Sequence, residues 1–190
     1  MSDARYMPVV ALVLAVVTTA SRADEQQPQM MPTRDVDITY QITRPNQPPI
    51  ISRRRWLASE HLQRIEGSDK SATIFDRNKH EFTLLNRANR TYRKFEGSPR
   101  MPMAPEKGAV LKRGSESMVA GLHCVDWWWT EDTETHVACL TPDGVLLRLV
   151  VDGNTVMQAR SVSYQTQSAK LFQVPRGYEP ALAPEGNAGE

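Results

Sequence analysis

The sequence predicts a mainly β protein: one curled antiparallel sheet, with few or no helices beyond an N-terminal signal. Three observations carry that expectation. Short apolar runs of about four to eight residues recur between clusters of turn residues. The first run alternates strictly between apolar and polar positions. No stretch sustains the apolar period of about 3.6 residues that a long helix needs.

Residues 1–23 read as a secretory signal peptide. Arg5 gives a positive start, the run Pro8 to Val17 is apolar, and Ser21 and Ala23 supply small residues for cleavage, with Ala20 as the competing site. The apolar run falls well short of the roughly 20 residues that span a bilayer, and no later run approaches that length. The mature chain is therefore expected to have no transmembrane segment. Neither cleavage site has a cysteine for a lipid anchor. The expected location is the periplasm or the exterior.

Residues 24–33 are polar and hold Pro28 and Pro32, which predicts a disordered leader. The β domain is expected over 34–178. Its first strand places Val36, Ile38, Tyr40 and Ile42 on one face and Asp37, Thr39 and Gln41 on the other. Pro45, Pro48 and Pro49 are expected to end it in a loop. A meander follows: 51–59, 61–66, 72–76, 80–85 and 91–95, separated by turns at 67–69, 77–79 and 86–90. Pro99, Pro102 and Pro105 make 97–108 a loop or a lid. The segment 112–120 is consistent with a strand or a short helical turn.

Beyond it, 122–130 and 135–140 form a hairpin around a polar turn at 131–134. With that turn centred between Glu131 and Asp132, Cys124 lies opposite Cys139. An exported chain with an even cysteine count favours a disulfide between them; two buried thiols are the alternative. Thr141-Pro142-Asp143-Gly144 is a turn, and Gly153-Asn154 joins a last hairpin. The tail 179–190 is rich in Pro, Ala and Gly and is expected to be disordered.

Charge is uneven. Residues 34–113 carry 17 Lys and Arg against 9 Asp and Glu, and 114–190 carry 4 against 10. The whole chain carries a net charge of +1, which lacks the long-range field that draws a protein to nucleic acid. No nucleic-acid partner is expected. The four histidines are scattered, and no metal-ligand spacing, nucleophile elbow or phosphate-binding glycine loop is present. The expectation is a protein that is not an enzyme, with no catalytic residue, metal or cofactor.

The run 119–178 contains an aromatic strand at Trp127 to Trp129, a hairpin introduced by Pro142 to Gly144, and a closing segment with Phe172, Pro175, Gly177 and Tyr178. It resembles exported proteins related to the LolA-like half-barrel. That resemblance implies a curled sheet and a role as a carrier of a lipid or a lipoprotein acyl chain. The family's amphipathic plug helix has no counterpart in this sequence.

An open curled sheet must cover its inner face with something apolar. The expected function is accordingly a periplasmic binding or carrier-like protein for a lipid, acyl chain or other apolar ligand. Tyr40, Trp56, Leu84, Tyr92 and Trp128 are the candidate ligand contacts. Arg53, Arg55 and Arg93 are candidates for gripping an anionic headgroup. The second expectation is an envelope interaction protein that meets a protein partner through Trp127 and Trp129, which alternation puts on the face opposite Trp128.

Overall fold

A computed structural model describes residues 27–67, 69–97, 105, 106 and 108–181. The expected signal peptide lies outside the described residues, as do most of the proline-rich loop and the end of the tail.

Twelve strands form one open sheet in the order β12-β6-β5-β4-β3-β2-β1-β11-β10-β9-β8-β7. The chain lays down β1 (Val36–Arg44), β2 (Gln47–Leu57), β3 (Leu62–Glu66), β4 (Ser71–Asp76), β5 (Glu81–Asn86) and β6 (Thr91–Glu96) as one meander running outward. It then crosses to the opposite edge. A second meander, β7 (Lys112–Val119), β8 (Leu122–Glu131), β9 (Glu134–Leu140), β10 (Leu146–Val151) and β11 (Asn154–Ser163), runs back to the middle. There β11 zips onto β1. All pairings are antiparallel except that of β12 (Glu179–Pro180), which lies parallel to β6.

Two details differ from the sequence reading. Pro48 and Pro49 lie inside β2, and the chain reverses at Pro45 and Asn46, whose φ is +57°. Proline is tolerated there because β3 pairs only with Arg53 to Leu57, leaving the start of β2 without a ladder on that side. The hairpin β8–β9 turns at Asp132 and Thr133, since Glu131 faces Glu134. Cys124 therefore lies diagonal to Cys139, which pairs with Asp126. The two cysteines still share a face and are joined as a disulfide with Cα atoms 5.3 Å apart. The undecided segment 112–120 is strand β7.

Strand alternation and register sort side chains onto two faces. One face carries Val36, Ile38, Tyr40 and Trp56 and continues through Met157, Ala159, Leu147, Leu149, Ala138 and Trp127 in one buried cluster. A single small pocket on this face is lined by Gln63 of β3 and by Ala138 and Leu140 of β9. Those strands are five places apart, roughly 24 Å on a flat sheet. The sheet must curl toward this face, which is the inner one.

The outer face is covered differently. After β11 the chain runs as a strap over the outer side of β3–β6, with a short 3-10 turn at Ala169–Phe172, and ends beside β6 as β12. Phe172 is buried there among Leu57, Leu62, Ala72, Ile74 and Leu85, with Tyr92, Val174 and Tyr178 against the cluster. The closing Phe-x-x-Pro-x-Gly-Tyr segment is thus an external cover, and among the described residues the inner face of the same strands has no such element.

Candidate functional site

The inner face of the β2–β6 wing is the candidate site. Register aligns two rows of side chains across it. The first is Phe95, Phe82, Phe75, Gln63 and Trp56; the second is Arg93, Leu84, Thr73, Ile65 and Arg54. The phenyl rings stack, Phe75 to Phe82 at 6.1 Å and Phe82 to Phe95 at 4.8 Å between centroids. At the outer end Phe95 and Leu84 stand in solvent, Leu84 at 41% exposure. Apolar area of this kind on a strand face is commonly packed; here Leu84 and Phe95 are left exposed.

At the inner end the rows run into a cavity of about 70 Å³, lined by Ile38, Tyr40, Arg54, Trp56, Leu140 and Leu146 together with Met30, Met31 and Pro32. These last three belong to the leader. It is held in place where Arg34 bonds to Asp143 at 3.0 Å, stacks on the Tyr164 ring at 4.0 Å, and is preceded by Thr33, whose N–H donates to the Asp143 carbonyl. Gly144 is required at this turn: its φ is +87°, and a Cβ would collide with the Met31 carbonyl. Burial pushes the Asp143 carboxyl up, but hydrogen bonds from Thr141, Arg34 and Tyr164 outweigh it and hold the group below the ordinary carboxylate range.

Tyr40 donates its hydroxyl to the Leu146 carbonyl at 2.6 Å, and burial pushes that hydroxyl up to about 12. Arg54 lies over the Tyr40 ring, 5.1 Å from its centroid. Among the described residues its side chain makes no hydrogen bond or ion pair, and its Nε is buried without an acceptor, as is the Trp56 Nε1. Burial lowers the Arg54 pKa. Nearby, Arg77 lies 5.3 Å over the Phe75 ring and donates to Gln63 at 3.0 Å, while its own Nε is also unpaired.

The candidates read from the sequence divide between the two faces. Tyr40, Trp56 and Leu84 share the inner face, and the exposed Arg93 sits opposite Leu84. Tyr92 and Trp128 do not join them: Tyr92 packs on the outer cluster, and Trp128 stands 45% exposed on the outer face. Gly114 makes that position possible, because a side chain there would meet the Trp128 indole. The partner surface expected at Trp127 and Trp129 is corrected by burial: both rings belong to the inner core, at 8% and 4% exposure, and Trp129 stacks on His136.

Arg53 and Arg55 are on the outer face and are engaged within the chain. Arg53 holds Asp37 at 2.8 Å, and Arg55 bridges Asp37 and Glu66 at 3.2 and 3.0 Å. The buried Arg64 extends the network from Glu66 to the Leu171 carbonyl of the strap. Burial raises the Asp37 carboxyl, but Arg53 and Arg55 more than offset it and leave it below its usual range; Glu66 is held down likewise by Arg64, Arg55 and Arg87. The arginine that faces the hollow is the one between them. Alternation with Trp56 carried that signal, since Arg54 and Trp56 must share a face.

The described architecture is that of an open, curled, β-rich sheet, and comparison with known proteins bears on that level. No family model matches the chain, and no curated protein matches it. Solved structures do resemble it. The complex structure of Pseudomonas aeruginosa MucA/MucB matches at TM-score 0.54 and 14% identity, over 74% of this chain and 56% of that one. A crystal structure of MucB in complex with MucA(peri) matches at TM-score 0.50 and 14% identity, over 75% and 54%. PNGF-II in its P21 crystal form matches at TM-score 0.50 and 16% identity, over 78% and 32%. At such identities the likeness shows a related fold alone. The chain spans just over half the length of the MucB chains and about a third of PNGF-II. The disulfide fits an exported protein.

Proposed function

We propose that the protein is a non-enzymatic binding or carrier-like module of the cell envelope, of the LolA-like half-barrel kind, whose hollow accommodates a lipid, acyl chain or other apolar ligand. The observation that carries this reading is the row of stacked phenyl rings on the inner face, which leads from solvent to the cavity lined by Tyr40, Trp56 and Arg54. The strap covers the other side of the same strands, and among the described residues the exposed Leu84 and Phe95 on the inner side have no such cover. Native mass spectrometry of protein purified from the envelope tests the reading. Co-purifying lipid, or uptake of a fluorescent fatty acid by the stripped protein, is the expected result. Finding no co-purifying lipid and no uptake overturns it.

A second reading, contact with a protein partner through the Trp hairpin, is favoured by the exposed indole of Trp128 on the outer face. The neighbour MucB is described in complex with MucA, which supports partner binding as a use of this architecture. A pull-down that loses its partner on Trp128→Ala, with lipid uptake unchanged, supports this second role; unchanged capture excludes that indole as the contact.

A further inference from the structure

The inner end of the phenyl row carries hydrogen-bond donors that the described residues leave without acceptors. Arg54 Nε, Trp56 Nε1 and Arg77 Nε are all buried and unpaired among the described residues. They are grouped by register. Arg54 and Trp56 sit two residues apart on one face of β2, and Arg77 bonds Gln63, the residue directly opposite Trp56. Buried polar groups nearly always find partners, and a buried cation especially so. The acidic side chains within reach of β2 are on the other face, where Arg53 and Arg55 engage them. The inner end of the track is therefore cationic and rich in donors, and its outer end is apolar.

Resting on the reading above, we propose that the track binds a long-chain carboxylate in one orientation, with its head at Arg54 and Trp56 and its alkyl chain along Phe75, Phe82 and Phe95. A planar guanidinium matches a carboxylate with two parallel hydrogen bonds, and indole N–H groups add donors but no competing acceptor. The cavity at the head end, about 70 Å³ beside the leader, suits this compact planar group better than a bulkier phosphate ester. From Trp56 to Phe95 the row crosses four strand intervals, roughly 19 Å, a span that suits a long chain and not a short one. Arg77 over Phe75 marks the junction between head and tail.

Calorimetric titration of the full chain with tetradecanoate, tetradecanol and tetradecyl phosphate tests the orientation. Tetradecanoate is expected to bind at least about tenfold more tightly than the alcohol, the difference that charge-assisted hydrogen bonds supply. Arg54→Met is expected to abolish that difference while leaving the alcohol's affinity, and Phe82→Ala to weaken acid and alcohol alike. The melting temperature of Arg54→Met without ligand is expected to equal or exceed that of the parent, because an unpaired buried cation is removed; a fall marks Arg54 as a structural residue and counts against the proposal. Equal binding of acid and alcohol overturns the head position but leaves an apolar ligand standing. Tighter binding of the phosphate overturns the choice of carboxylate. No binding of any of the three overturns the functional reading itself. The comparison of acid with alcohol needs no variant, so a failure of Arg54→Met to fold does not remove the test.

Discussion

The two wings of the sheet bury their apolar side chains in opposite directions. From β7 to β11 the inner face is filled: Leu147 and Leu149 are at 0% and 1% exposure, Trp127 and Trp129 close over them, and the disulfide lies on the outer face. From β3 to β6 it is the outer face that is filled, by the strap and Phe172, while the phenyl row on the inner face stays half open. One sheet thus changes its buried side near β2. A strand with apolar residues on both faces needs two covers, and among the described residues the β3–β6 wing has one. That difference locates the candidate site more sharply than any single residue does.

Four substitutions separate the two wings, the most destabilising first. Phe172→Ala is expected to cost about 4 kcal/mol, the range for emptying a buried aromatic site. Hydrogen exchange should then accelerate in β4–β6 and leave β8–β10 protected; uniform acceleration would show that the wings do not have separate covers. Replacing Cys124 and Cys139 together by serine should cost about 3 kcal/mol, as expected for a loop with a sequence separation of 15. Its exchange signature should be the reverse, centred on β8 and β9.

Asp37→Asn acts at the junction between the wings and should cost about 2 kcal/mol, less than a wholly buried pair because Arg53 is half exposed. Its pH dependence has a definite sign. Asp37 and Glu66 are held below their unfolded values, so their contribution is fully present above about pH 5 and is lost as the pH falls through the folded values. Urea titrations at stepped pH should find parent and variant converging on the acid side. Leu84→Ala should change stability by less than about 0.5 kcal/mol, since the side chain already meets solvent. A large loss there would mean that the inner face of the wing is covered.

Much of this arrangement was legible in the sequence. The alternation of Val36, Ile38 and Tyr40 marked the first strand and its buried face, and the turn residues at 77–79 and 86–90 marked the meander. Alternation also separated Trp128 from its neighbours and Arg54 from Arg53 and Arg55. What it could not give was which side is inward. That depends on the direction of curl and on the strap, both set by pairings distant in sequence, such as β1 with β11. Trp127 and Trp129 are therefore in the inner core and Trp128 is on the outer face, and the headgroup arginines expected on Arg53 and Arg55 turn out to be held by Asp37 and Glu66. The cysteine pair survived a two-residue error in the hairpin register because diagonal neighbours share a face.

The most direct measurement is an NMR titration of the isotopically labelled protein with a long-chain fatty acid. The account predicts amide and aromatic shifts concentrated on Phe75, Phe82, Leu84, Phe95 and Arg54, with β8–β10 unmoved. Shifts centred on β8–β10, or none at saturating ligand, would contradict it.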